Sequence, residues 1–586
     1  MIYLVNNKSK AEFAFNVLRK EDTLGADTET TGLDPFINKV ILIQLGTPDF
    51  QFVFDVARLE PDWLSPVFKI FESNDILKIF HNGKFDYKMM KTNFGVTTRN
   101  MADTMIIEQL LTKGVKLSGF GLDVVSAKYM VGDLDKSIRK GFILKKYGDT
   151  FTEKEINYSA EDVRVTPLIY KQMLNLLVSK NMLETGMLEN HTVPVMAEME
   201  LAGIHVDKDL WLELDRKAQG LKAPAAKKLQ VFFEPYCSMD LFGNLDINYD
   251  SPTQLKPLLE KVLGFKLETT EEKYLMQFDH PMLDALFEYR AAAKKISTYG
   301  AAFLKHVHPK THRIHARYLQ LGTDSGRMSC KNPNMQNIPH EQEYRTPFCV
   351  HDNNHIIISA DYANQEMRVL AQVSGDQAWR NVIISGKDLH KTVASMMFKI
   401  PYDEVTKELR QQAKAVGFGT VYGIGARKLG KNLGISKYEA RGLLKTFFDT
   451  FPDIKRYLNE CERDAEAHRR AISPLDGRIR DLGSIDWDDK KKRSHALNIA
   501  KNHPVQGNSA SVTKLALVNV HKYIKQNNKD AMLIAVIHDE MLVECHKDIS
   551  EEMSNVISTE MIKAFNHYCP DIPMEVIPDI GSHWIH

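Results

Sequence analysis

The chain has 586 residues, 43% of them hydrophobic and 26% charged, and its 76 Lys and Arg balance 76 Asp and Glu. At roughly 150 residues per domain this suggests three or four soluble globular domains, and no run approaches the ~18 consecutive apolar residues of a membrane span, Met532–Ile537 being strand-sized. Neutral net charge withholds the basic excess usual in nucleic-acid binders, which leaves such contacts to local clusters such as Lys136–Lys146 and Asp489–Arg493. Charge runs of that kind more often form a solvated face.

The six cysteines (Cys237, Cys330, Cys349, Cys461, Cys545, Cys569) are scattered without a Cys-x-x-Cys pair. They read as reduced thiols rather than disulfides or zinc ligands. The N-terminus lacks the basic, apolar and small-residue series of a secretory signal. Cytoplasmic location is the expectation, in a bacterial or phage-infected cell, with organellar origin left open.

In chain order, Val40–Leu45 and Gln51–Val56 have strand patterns and Thr152–Lys180 a helical one, which predicts an α/β domain over the first 185 residues. Long helical patterns follow at Thr192–Leu201, Lys208–Phe233 and Pro281–Lys305. Beyond these, strands (His355–Ala360, Met532–Ile537, Met541–Cys545) mix with helices (Lys407–Tyr422, Gln506–Gln526). Without Gly/Ser/Pro-rich linkers, the domains are expected to pack directly on each other.

A first carboxylate cluster lies early. Asp27 and Glu29 sit two apart in a strand-like stretch and so share a face. Further on come His81-Asn82-Gly83-Lys84-Phe85-Asp86 and Tyr158-Ser159-Ala160-Glu161-Asp162, with Tyr158 and Asp162 one helical turn apart. Asp27, Glu29, Asp86 and Asp162 supply the hard oxygen donors that two Mg²⁺ or Mn²⁺ ions take, and Tyr158 can hydrogen-bond an attacking water. Asp-Thr-Glu-Thr-Thr-Gly, Asn-Gly-Lys-Phe-Asp and Tyr-x-x-x-Asp, in this order, resemble the three motifs of the DnaQ-like 3′→5′ exonucleases. RNase D-like enzymes share the pattern, so the substrate stays open at this point.

A second constellation occupies three segments. An apolar strand, Ile356–Ala360, delivers Asp361 to its end, followed by Tyr362, Glu366 and Arg368. Arg410, Lys414, Phe418 and Tyr422 recur every four residues, a ~40° step on a helix, and so form one spiralling stripe of two cations and two rings. That combination suits a nucleoside triphosphate, although an amphipathic helix with a basic edge has the same pattern. His538-Asp539-Glu540 stands between two apolar strand-like runs, where a hairpin would present it at the tip.

These segments resemble motifs A, B and C of family A DNA polymerases. Asp324-Ser325-Gly326-Arg327-Met328-Ser329, Asn332–Pro339, Asp388-Leu389-His390, Asn502–Gly507 and Ile580–Trp584 resemble further pieces of that family, in its order and over essentially the whole chain. The resemblance implies an RNase H-like 3′→5′ exonuclease domain followed by a right-hand polymerase, α/β and α+β in class. Its divisions would be exonuclease 1–185, helical thumb 186–312, palm 313–374 and 500–586, and fingers 375–499. It implies two Mg²⁺ per active site, with Mn²⁺ as a substitute, and primer–template DNA and dNTPs as partners. Replication accessory proteins are admitted, and a monomer away from membranes is expected.

By the same resemblance Asp361 and Asp539 would hold the polymerase metals, with Glu540 as a supporting carboxylate. Arg410, Lys414 and His390 would hold the triphosphate, Lys414 also giving a proton to pyrophosphate. Phe418 and Tyr362 would line the nucleotide, and Glu366 with Tyr422 would exclude a 2′-hydroxyl. Arg327, Asn334, Asn337, Arg345, Asn502, Gln506 and His538 would contact DNA. Gln365, Gly417 and Asn498 depart from the family pattern. Because the sequence opens on the exonuclease motifs, no 5′ nuclease domain is expected, an architecture like that of phage enzymes. Glu366 argues against the rival reading of an RNA polymerase, and intact Asp361 and Asp539 argue against a disused synthetic half.

Overall fold

The computed structural model describes every residue except 133, 135, 139, 140, 143, 240–244, 422 and 586. Two units partition the chain, the first comprising Met1–Gly203, Ala316–Gln336 and Ile358–Ile580, the second Ile204–His315, Asn337–Ile357 and Gly581–His586.

The first unit begins with strands β1 (Ile2–Val5), β2 (Thr23–Thr30), β3 (Val40–Gly46), β4 (Gln51–Asp55), β5 (Leu77–Phe80) and β6 (Met101–Asp103) in the sheet order β1-β4-β3-β2-β5-β6. β2, β3 and β4 run antiparallel, while β5 and β6 join parallel beside β2. Helix α1 (Gly83–Phe94) follows β5. Helix α2 (Glu153–Ser179) starts at a capping box, in which Thr152 and Glu155 satisfy each other's backbone amides, and lies across the sheet. Two glycines permit that close docking. A Cβ on Gly25 would stand 2.2 Å from the Val163 carbonyl oxygen, and one on Gly46 would stand 3.2 Å from the Val163 side chain. Helix α3 (Leu183–Ala202) then ties α1 to the later chain, because Glu200 accepts from Lys84 (2.6 Å), Lys88 (2.5 Å) and the Tyr318 amide (2.8 Å).

The second unit pairs β7 (Ile204–His205) with β8 (Arg313–Ile314) and packs α4 (Lys208–Phe233) on α5 (Pro281–Tyr299) over a core that includes Leu229, Phe233, Leu259 and Leu286. The helix expected over Pro281–Lys305 stops at Gly300 and gives way to a tighter turn over Ala301–His306.

The chain then forms β9 (Arg317–Leu319), β10 (Ser329–Lys331) and β11 (His355–Ala360), followed by α6 (Gln365–Ser374), α7 (Leu389–Phe398) and α8 (Lys407–Val421). A short hairpin of β12 (Arg470–Ile472) and β13 (Ile479–Asp481) precedes α9 (Lys490–Gln526). The last elements are β14 (Ala531–Ile537), β15 (Glu540–His546), α10 (Ser550–Tyr568) and β16 (Asp579–Gly581), and the sheet order is β14-β15-β11-β16.

Two helices begin earlier than the sequence pattern suggests, α3 at Leu183 rather than Thr192 and α9 at Lys490 rather than Gln506. In α9 a pattern reading takes Pro504 as a break, whereas Pro194 of α3 lies inside the stretch already read as helical. In α9 the buried face continues past the proline, and Asp489 caps the true start by accepting from Lys491 and Lys492. Consequently α9 runs unbroken through residue 500 and α3 through residue 186. The charge run Asp489–Arg493 forms surface pairs, Lys492 with Asp486 and Arg493 with Glu466. Part of Lys136–Lys146 (139, 140 and 143) lies outside the described residues.

Gly25→Ala is expected to lower the thermal unfolding temperature, because its Cβ meets backbone that no rotamer change can move; overpacking of this kind costs about 1–3 kcal/mol. Gly417→Ala should raise it by the equivalent of about 0.5–1 kcal/mol, since a Cβ there would stand 3.8 Å from Trp379, an ordinary contact. Calorimetry of the two variants checks the opposite signs.

Candidate functional site

On β2, Asp27 and Glu29 are half-exposed while Ala26, Thr28 and Thr30 are buried, so the strand's alternation presents both acids on one face. Asp86, in the first turn of α1, meets this strand at Thr28, on the buried side away from Asp27 and Glu29, where the Thr28 hydroxyl donates to Asp86 Oδ1 at 2.6 Å. Burial pushes the Asp86 carboxyl up to about 7, the Thr28 hydrogen bond opposing and the neighbouring Asp103 adding to it. Asp162 and Tyr158 both lie on the buried side of α2, with the Tyr158 ring packed 5.9 Å from that of Phe142.

Asp103 escaped the sequence reading. Its buried carboxylate accepts the backbone amides of Asn82, Gly83, Met105 and Ile106, so it caps the following helix and fixes the turn that launches α1 and Asp86. An Asp directly before Thr-Met-Ile-Ile is a capping signal that could have revealed it.

In the second site, Ile537 pairs with Glu540, which leaves His538 and Asp539 as a two-residue hairpin turn. His538 adopts φ +58° and is exposed; Asp539 is half-exposed and Glu540 is buried in the strand. β15 lies beside β11, and Asp361 follows the last residue of β11. Burial, then the negative charges of Asp539 and Asp361, drive the Tyr362 phenol far above its ordinary value. Both aspartates therefore lie within electrostatic reach of one buried phenol. Tyr362 itself is buried and its hydroxyl donates to Met561 O at 2.9 Å. The expected nucleotide contact is corrected accordingly: the ring is buried and bonded to α10.

A pocket of about 380 Å³ is lined by Arg410, Lys414, His390, Asp388, Arg368 and Lys387, among others. Asp388 holds the Arg410 guanidinium at 2.8–3.2 Å and caps α7 through the Lys391 amide. Lys414 is exposed one turn beyond Arg410 on α8, and Phe418 lies a further turn on, its ring 5.4 Å from that of His390. Burial, aided by Lys414 and Arg410 and opposed by Asp388, lowers the His390 pKa to about 4, so the imidazole is neutral at pH 7. Arg368 and Lys387 were not anticipated in this lining; a lysine directly before Asp388 was the available signal. Tyr422 lies outside the described residues.

Glu366 is 7% exposed and paired with the Arg327 guanidinium, so in this structure Arg327, expected on DNA, lies against the expected sugar filter. Gln365 turns the other way, its amide 3.4 Å from Thr513 of α9. Asn498 abuts Gly423, which holds φ +64°; a Cβ there would stand 2.6 Å from the Asn498 side-chain oxygen. Asn502 and Gln506 are half-buried one turn apart on α9, and Asn334 and Asn337 are exposed. The expectation for Arg345 is overturned. It is 1% exposed, with its guanidinium 4.4 Å above the Trp584 ring and hydrogen-bonded to His340, an internal strut of the second unit.

The oxygen donors suit Mg²⁺ or Mn²⁺ at both places, and a buried acid beside a second acid, as at Asp86 and Asp103, is one whose ionised form a divalent ion stabilises. Among the described residues, no three such donors yet surround a single point.

Residues 226–586 match the description DNA polymerase family A, and residues 2–178 match 3′-5′ exonuclease. The DNA polymerase I of Borreliella burgdorferi is 30% identical over 99% of this chain, which spans 64% of that protein's length. That of Aquifex aeolicus is 27% identical over 97% of each chain. A solved structure described as the POL domain of Pol1 from M. smegmatis in complex with DNA primer-template and dNTP superposes with a TM-score of 0.86 at 25% identity, covering 99% of both chains. No helix among the described residues is long and apolar enough to cross a membrane.

Because the His390 pKa lies well below its ordinary value, its ring resonances should stay in the neutral form from pH 7.5 down to 5.5. Lys414→Gln removes a positive neighbour and should move the titration upward, and NMR of the imidazole signals reads both.

Proposed function

The chain belongs to DNA polymerase family A, and on that premise we propose that it extends a primer 3′-hydroxyl along a template with dNTPs and trims the same end at a separate 3′→5′ exonuclease centre. The single observation that carries the synthetic half is that Asp361, at the end of β11, and Asp539, in the β14–β15 turn, are carried by neighbouring strands of one sheet. Divalent ions, two per site, would lower the pKa of the attacking hydroxyl or water and stabilise the leaving oxygen.

The chain's own groups do the rest. Asp361 and Asp539 hold their carboxylates at the sheet end where the primer terminus must arrive, supported by Glu540. Arg410 and Lys414 neutralise the triphosphate in the pocket beneath α8; Lys414, the more exposed cation, is placed to protonate departing pyrophosphate. Neutral His390 donates a hydrogen bond without adding charge and braces Phe418, which flanks the incoming nucleoside. Glu366 blocks a 2′-hydroxyl. The Arg327 guanidinium pairs with the buried Glu366 carboxylate and holds it in place until DNA takes up the cation. Asn334, Asn502, Gln506 and His538 contact primer and template in this reading, and Asn337, in the second unit, is a further DNA contact.

In the trimming centre Asp27, Glu29, Asp86 and Asp162 gather the cleaved phosphate's counter-charge, and Tyr158 orients water. The exonuclease would occupy 1–185, the thumb 186–312, the palm 313–374 with 500–586, and the fingers 375–499. A role in DNA replication or repair follows from this chemistry.

Asp539→Ala should abolish primer extension while leaving 3′ trimming, and Asp27→Ala with Glu29→Ala should do the converse. A mismatched primer, run with and without dNTPs, reads both on one gel, and simultaneous loss in either variant would refute separate centres. Glu366→Ala should admit ribonucleotides, and unchanged sugar discrimination would remove Glu366 from that role.

A further inference from the structure

Within the second unit, the segment around Cys349 lies between two others. On one side Asp207 donates to Pro347 O (2.7 Å), Val206 bridges Phe348, and the Cys349 amide donates to His205 O (3.3 Å). On the other, Val350 donates to Ser582 O (3.0 Å), Trp584 donates to Phe348 O (2.8 Å), and Cys349 bridges His583. Opposed residues of antiparallel chains project on the same face, with Cβ atoms ~4.5–5.5 Å apart. Cys349 is therefore flanked by His205 and His583. His351, two residues on, brings a third imidazole, its ring 4.9 Å from that of His205 at 44°.

We propose that Cys349, His205, His351 and His583 form a binding site for a thiophilic divalent ion, with Zn²⁺ the best match. The donor set of one thiolate and three imidazoles is that of tetrahedral zinc. The spacing agrees with it. Zn–S of ~2.3 Å and Zn–N of ~2.05 Å at a tetrahedral angle put sulfur and nitrogen ~3.5 Å apart; Cys349 Sγ and His205 Nδ1 are 3.5 Å apart. A thiol–imidazole hydrogen bond alone would explain that pair, but not the placing of His583 opposite Cys349 and of His351 two residues on, on the same face.

Since no three donors among the described residues surround one point, as is also true of the carboxylates at the two candidate centres, capture requires side-chain rotation. His351 is exposed and His583 half-exposed, which leaves room for those rotations and for the ion's entry. Bound there, the ion would pin three segments remote in sequence. Its four residues take no part in the chemistry proposed above, so neither reading depends on the other.

The test titrates the full chain with Co²⁺ in excess Mg²⁺, which occupies the carboxylates. One equivalent should develop thiolate-to-cobalt charge-transfer absorption and the intense visible bands of a tetrahedral ion, and Zn²⁺ should displace it. Cys349→Ser should lose the charge-transfer band. Loss of even an outer-shell partner weakens metal affinity about 10–100-fold, so His205→Gln and His583→Gln should weaken Zn²⁺ binding at least comparably. Zn²⁺ should also raise the unfolding temperature of the wild type but not of Cys349→Ser, whose metal-free circular dichroism should match the wild type. Should that variant misfold, the two histidine variants decide. No thiolate band in the wild type, an undiminished band in Cys349→Ser, or unchanged affinity in both histidine variants would overturn the proposal.

Discussion

Two carboxylates far apart in sequence can share a cation only if the backbone brings their carriers side by side, and here the sheet order β14-β15-β11-β16 does so. β15 forms a tight hairpin with β14 on one side and lies beside β11 on the other. The hairpin has only two turn residues, so Asp539 cannot drift away from the start of β15. Asp361 is held by its position at the end of a buried strand and by the Tyr362 amide, which donates to its Oδ1 at 2.8 Å. Repulsion between the two aspartates is resisted by this framework, and the buried Tyr362 that follows Asp361 is anchored through its hydroxyl to α10.

A second constraint connects the early and late parts of the first unit. Glu189 of α3, Asp476 and Arg478 of the β12–β13 hairpin, and Lys514 of α9 are all buried and paired with one another. Burial alone would raise the Glu189 carboxyl's pKa; Lys514 and Arg478 overcome it and hold that carboxyl below its usual range. Such a network adds little net stability compared with an apolar core, but removing one member leaves a buried charge uncompensated, at a cost of about 3–5 kcal/mol. Its effect reaches the synthetic site, because Lys514 also donates to Gly326 O at 2.9 Å. Gly326 precedes Arg327, the partner of Glu366. The position of the proposed sugar filter thus depends on charges buried well away from any substrate.

Much of this was legible in the sequence because short-range geometry carried it. Asp27 and Glu29 at a spacing of two, Arg410, Lys414 and Phe418 at a spacing of four, and His538-Asp539-Glu540 between apolar strands each state their local structure directly. The convergence of strand ends did not follow from spacing and came only through family resemblance. What stayed hidden depended on tertiary contacts. Arg345 and Tyr362 carry polar groups that a sequence places at a surface, yet Trp584 and Met561 draw them inside. Pro504 looked like a helix boundary because the packing that carries α9 past it is contributed by elements distant in sequence.

Strand periodicity also separates chemistry from support at these sites. Asp27 is half-exposed and Thr28 buried; Asp361 is half-exposed and Tyr362 buried; Asp539 is half-exposed and Glu540 buried. Successive side chains of extended backbone point to opposite sides, which separates Asp27 from Thr28 and Asp361 from Tyr362, whereas Asp539 owes its exposure to the hairpin turn. Thr28 fits that division, since it faces inward yet holds Asp86 in place. Glu540 fits it as well. A carboxylate within a strand, 4% exposed, is poorly placed to reach the same ion as Asp539 without breaking the hairpin register, and well placed to shape the field around it. A motif read residue by residue gives such neighbours equal standing; the alternation of the backbone does not.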